Sequence, residues 1–197
     1  MNRIIIFGII TLIVLLYGCN SEDIAFKKGV KRLNEIDEKF GTNMKTVPDS
    51  MEEINEMYAQ LVGLSATNQE RSQALEYLLD FRIKSLEAEK LHIEGWQWGR
   101  GSTTDYGFGC RRGSARILNS SKIRNSSAYK GFEAIEALKL FVDKFPDKAK
   151  SLNLTQKDAL FLNAAYQQVD DKARRDSRII RNLCKEQVEA LSQEGII

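Results

Sequence analysis

The chain is poor in the residues from which most catalytic and metal sites are built. Its 197 residues include a single histidine, His92, which excludes a metal centre made of several imidazoles. Two prolines, Pro48 and Pro146, leave long stretches in which nothing interrupts a helix. Acid is nearly absent from residues 95–130, where Asp105 stands against seven lysines and arginines. The net charge of +2 excludes a polyanion binder that works by bulk charge. The sign is unevenly spread, however: residues 20–94 carry 10 basic and 15 acidic side chains, and residues 131–197 carry 11 of each.

One long apolar run is present. Residues 4–18, IIIFGIITLIVLLYG, follow Arg3 and contain no charge. The run falls short of the roughly 20 residues that span a bilayer core, and its layout is that of a secretory signal. It ends in Leu16-Tyr17-Gly18-Cys19. These four residues resemble the lipobox of prokaryotic membrane lipoproteins, with Tyr17 departing from the usual small residue. The resemblance implies cleavage after residue 18 and a lipid on Cys19. Residues 1–18 are then a signal peptide, and residues 19–197 form an extracytoplasmic domain anchored to the cell membrane. Asn20 is not the aspartate that such lipoproteins use for inner-membrane retention. The competing reading is an uncleaved signal-anchor, and it places the domain on the same side.

Cys110 and Cys184 remain after Cys19 is used, and a secreted domain permits their pairing. The bridge would close a loop of about 75 residues, worth roughly 4 kcal/mol in the chain-entropy account. Two separate buried thiols are the alternative.

The apolar spacing is helical throughout. Phe26, Val30, Leu33, Ile36 and Phe40 recur at three and four residues and stop at Gly41. After Pro48, Asp49 or Ser50 caps a second helix with Ile54, Met57, Tyr58 and Leu61 on its stripe. Residues 68–95 are apolar on more than one side (Leu75, Leu78, Leu79, Phe81, Ile83, Leu86) and predict the central helix. A fourth helix is expected from about Ser127 to Phe145. A fifth starts at the Thr155–Asp158 cap and runs to about Leu191, either as one helix or broken near Asp170 and Asp171. No strand-length alternation occurs. The expected fold is all-α, a single bundle of about five helices with a long Gly/Trp/Arg-rich connection. Ala134, Leu138, Phe141 and Pro146, then Ala159, Ala165 and Tyr166, resemble the tail and head of successive tetratricopeptide repeats. No second copy follows at a period of about 34 residues.

That connection, GWQWGRGSTTDYGFGCRRGSARILNSSKIRNSS, is the segment from which a function would be read. Trp96, Trp98, Tyr106 and Phe108 offer faces for stacking on sugars, and Arg100, Arg111, Arg112 and Arg116 offer forks for phosphate or carboxylate. Residues 111–124 suit a short helix displaying Arg112, Arg116 and Arg124. The structural alternative has the aromatics sealing the bundle, Cys110 stapling the loop to the last helix, and the arginines pairing with the acidic first half. The pattern Asn-X-Ser/Thr at Asn119, Asn125 and Asn153 matches glycan acceptors.

Catalytic motifs fail one by one. GWQWGRGST lacks the order and the lysine of a phosphate-binding loop. Cys110 beside Arg111 and Arg112 has the makings of an activated thiol with His92 as base, which a disulfide would abolish. Paired carboxylates cannot be selected from so many glutamates. No cofactor and no metal is implied, and the inferred compartment argues against nucleic acid. The expectation is a non-enzymatic envelope lipoprotein acting as scaffold or protein-interaction domain. Its rivals are a module binding glycan or anionic polymer through residues 95–130, and an envelope hydrolase. The expected partners are the membrane, through Cys19, and an envelope protein or glycan.

Overall fold

The computed structural model describes residues 2–68, 72–99 and 110–196, apart from the side chains of residues 2–20, 111 and 112. Among the described residues there are seven helices and no strand: α1 (Asn2–Lys39), α2 (Met51–Asn68), α3 (Gln73–Gly99), α4 (Cys110–Lys144), α5 (Pro146–Ser151), α6 (Gln156–Leu183) and α7 (Lys185–Gln193). The protein is an all-α bundle. The helix of α1 is continuous through Cys19, so the cut expected from the sequence falls inside it. No helix among the described residues is long and apolar enough to cross a membrane.

The ends of the helices follow from local chemistry. Ser50 caps α2: its hydroxyl accepts from the Glu53 N–H at 3.3 Å and donates to the Glu53 carboxylate at 2.8 Å. At the start of α6 the Asp158 carboxylate accepts from both the N–H and the hydroxyl of Thr155, each at 2.8 Å. Three helices close with a Schellman motif. After α1, Gly41 (φ 63°) lets Thr42 N–H reach the Asp37 carbonyl at 2.9 Å. Asn153 (φ 54°) plays that part after α5, and Gly195 (φ 69°) after α7.

The central element is α3, as its two-sided apolar pattern predicts. Leu75, Leu78, Leu79, Phe81 and Leu86 are all buried in the main core. That core also takes Phe26 and Leu33 of α1, Ile54, Met57 and Leu61 of α2, Ile135, Leu138 and Phe141 of α4, and Ala159 of α6. A smaller core of Ile117, Leu118, Ile180, Cys184 and Val188 sits at the other end of α4. Cys110 and Cys184 are bridged there, with Cα atoms 5.5 Å apart and a sequence separation of 74. The bridge joins the first residue of α4 to the junction between α6 and α7.

Several boundaries differ from the sequence expectation: α2 runs on through Asn68, so α3 begins at Gln73 and not at residue 68. The fourth helix starts at Cys110, not near Ser127, and so takes up most of the stretch read as a connection. Glycine, serine and asparagine are weak helix formers, but packing overrides propensity here. Ser120 donates to the Gly95 carbonyl at 2.7 Å and Ser127 to the Ala88 carbonyl at 2.8 Å, so the small residues let α4 lie close against α3. A Cβ on Gly95 would come within 2.6 Å of Arg124 Cγ. The last long helix does not break at Asp170 and Asp171 but at Cys184. Asp170 is buried, its carboxylate accepting from Arg174 Nε and Asn125 Nδ2, both at 2.7 Å.

Candidate functional site

α4 and α6 run antiparallel, as three cross-helix pairs show: Asp143 with Gln156, Gly131 under the ring of Tyr166, and Asn125 with Asp170. Between the first part of α4, the last part of α6 and the C-terminal Gly195-Ile196 lies an open groove of about 820 Å³. The Schellman turn at Gly195 is what brings Ile196 back to it.

Four cationic side chains line this groove: Lys122 from α4, and Arg174, Arg178 and Arg181 from α6. The three arginines are four and three residues apart, which puts them on one helical stripe. Asp170 binds Arg174 Nε, and the other end of that guanidinium donates to the Tyr129 hydroxyl at 3.4 Å. Arg174 is thereby held across the groove, and its pKa is raised by the Asp170 hydrogen bond and charge. Lys122, Arg178 and Arg181 have no acidic partner among the described residues. Asn119, Ser126, Ser177 and Asn182 add neutral donors and acceptors along the walls. Ser121 also lines the groove, buried, with no hydrogen-bond partner for its Oγ. Uncompensated guanidinium forks beside amides and hydroxyls are the donor set of an oxyanion site.

The residues singled out from sequence do not gather in one place. Trp96 and Trp98 occupy the last turn of α3 and are about half exposed, at 49% and 46%, so neither seals the core. Trp96 Nε1 donates to His92 Nε2 at 3.1 Å, and the Lys172 ammonium sits 5.0 Å from the indole centre. The indole bond needs a lone pair on that nitrogen and holds His92 neutral. Burial pushes the imidazole pKa down, and the charges of Arg124 and Lys172 push it further the same way. Arg116 is exposed on α4 and does not line the groove. Arg100, Tyr106 and Phe108 lie outside the described residues, as do the side chains of Arg111, Arg112 and Cys19. Of the glycan-acceptor asparagines, Asn119 and Asn125 line the groove half-buried, and Asn153 is exposed at the turn after α5.

No family model, curated protein or solved structure matches this chain. Reading the sequence missed Arg174, Arg178 and Arg181 because residues 131–197 balance in charge. The signal was in the spacing of ARRDSRIIR, which sorts three arginines onto one face while Asp176 turns to Arg124 of α4, 2.8 Å away.

Proposed function

We propose that the chain is a lipid-anchored protein of the outer face of a cell membrane, and a non-enzymatic binding module that holds an anionic, hydroxyl-bearing polymer in the α4–α6 groove. The observation that carries the reading is the set of three cations, Lys122, Arg178 and Arg181, around one groove with no acidic partner among the described residues. A wall or surface polymer with phosphodiester or uronate groups matches that set, with the Asn and Ser side chains available to its hydroxyls. The acid-poor stretch noted in the sequence contributes Lys122. The other cations come from α6.

The test is binding of the full chain, in detergent, to linear polyphosphate and to a polyuronate, against neutral dextran. Both anions are expected to bind, more weakly as salt rises. Each charge-assisted contact is worth about 1.5–3 kcal/mol, so Arg178→Glu with Arg181→Glu is expected to weaken binding by about a hundredfold or more. The exposed Lys185→Glu on α7 serves as control. Dextran binding as well as the anions, or a double variant that binds undiminished, would defeat the groove reading.

The anchor is tested by intact mass of the protein from its native membrane. A chain that begins at Cys19 and carries added lipid mass is expected. A full-length chain without added mass would leave residues 4–18 as an anchor only.

A further inference from the structure

A second cleft, of about 330 Å³, lies between α3, the first half of α6 and residues 45–47. Val47, Phe81, Leu162 and Val169 make it apolar, and Glu89, His92 and the Tyr166 ring border it. Its cations are already engaged. Lys45 Nζ is 2.8 Å from Asp158 Oδ1, and Arg82 is bound to Asp37 and to the Thr46 carbonyl. His92 is neutral, its Nε2 accepting from Trp96. Glu89 is different: it has no hydrogen bond or ion pair among the described residues. Half-buried at the edge of the cleft, it is the lining charge without a charged partner among the described residues, beside the apolar walls.

We propose that this cleft binds a small organic cation, a primary ammonium on a short apolar body, with Glu89 as its counter-ion and the apolar walls holding the body. The site is separate from the groove and does not depend on how the groove is read. Burial pushes the Glu89 pKa up, and the nearby Asp49 carboxylate adds to the push, so a bound ammonium relieves what the fold leaves uncompensated. Burial, with Glu89 adding to it, raises Tyr166 to about 12. Its hydroxyl therefore stays neutral and is free to accept from an ammonium. An anion would meet Glu89 with Lys45 and Arg82 already taken, which is the charge argument for a cation. A cleft of this volume, apolar with a few convergent polar groups, has the form of a small-molecule site.

The probe is 2-phenylethylammonium, titrated into the full chain by calorimetry, with 2-phenylethanol and phenylacetate as neutral and anionic matches. Saturable ammonium binding is expected, with the alcohol about tenfold or more weaker and no binding of the carboxylate. Glu89→Gln keeps the shape and removes a charge that burial disfavours, so it folds. It is expected to lower ammonium affinity about tenfold or more, while Glu94→Gln on α3 and Arg178→Glu in the groove leave it unchanged. The proposal is overturned if the alcohol binds as tightly as the ammonium, if Glu89→Gln binds undiminished, or if no saturation is reached at millimolar probe.

Discussion

Asp37→Ala is expected to lower the free energy of unfolding by about 3–5 kcal/mol, a large share of the roughly 5–15 kcal/mol typical of a domain. The carboxylate is the counter-ion of Arg82, the largest of the fully buried side chains. Side-chain exposure is 1% for Arg82 and 5% for Asp37. Arg82 Nη2 donates to Asp37 Oδ1, Nη1 donates to the Thr46 carbonyl at 2.7 Å, and the Thr42 hydroxyl donates to Asp37 Oδ1 at 2.8 Å. One pair thus ties α1 and the loop after it to the central helix. Burial pulls the Arg82 pKa down, and Asp37 opposes that pull through its charge and its hydrogen bond. Removing Asp37 strands a cation in the core, whereas removing both charges need not. Asp37→Leu with Arg82→Met is expected to come within about 1–2 kcal/mol of the parent, or above it, because the desolvation cost of both ions goes with them. Chemical denaturation of the three proteins measures this. A single variant that costs under about 1 kcal/mol would mean that water reaches the guanidinium and that the pair is not buried in solution.

Reduction of the Cys110–Cys184 bridge is expected to cost about 4 kcal/mol in the chain-entropy account, given the 74-residue separation. The loss should not fall evenly. The bridge lies in the smaller core, where Ile117, Leu118, Ile180 and Val188 bury far less apolar surface than the main core does. Amide exchange is therefore expected to quicken first in the start of α4, the end of α6 and α7, while α1 to α3 keep their protection. Arg178 and Arg181 stand on the part of α6 that the bridge secures, so polyphosphate binding should weaken together with that protection. Cys110→Ser with Cys184→Ser gives the same test without reductant. Equal unfolding midpoints with and without the bridge, or loss of protection spread over the whole chain, would contradict a local staple.

Several elements were legible from residue pattern because their causes are local. The stripe of α1 ends at Gly41 because a left-handed residue is needed there, and the caps at Ser50 and Thr155 announce the helices that follow. The apolar surround of α3 predicts a helix covered on several sides, and α3 is the central one. Cysteine count and inferred compartment together predict the pair that the structure bridges.

Other features were decided only by contacts between distant segments. Residues 111–124 suit a short helix locally, but nothing local makes residues 110–127 the start of one unbroken α4. Their serines lower its propensity, and it forms because Ser120 and Ser127 find the carbonyls of Gly95 and Ala88 on α3. Asp170 reads as a helix breaker until Asn125, 45 residues earlier, is there to meet it. The tryptophans look like a recognition surface or a core seal, and proved to be exposed at the end of α3, one of them bonded to His92. The groove cations come from two helices, Lys122 from the acid-poor start of α4 and the arginines from α6, whose stretch of chain, residues 131–197, balances in charge and separates by sign only in space. Sequence by itself determined the helical class, the caps, the central helix and the cysteine pair, since each depends on residues within a turn or on a count. Tertiary structure alone decided where α4 begins, which cations lack an acidic partner among the described residues and that Glu89 borders an apolar cleft, since burial and charge balance are properties of neighbours that the chain brings together only when folded.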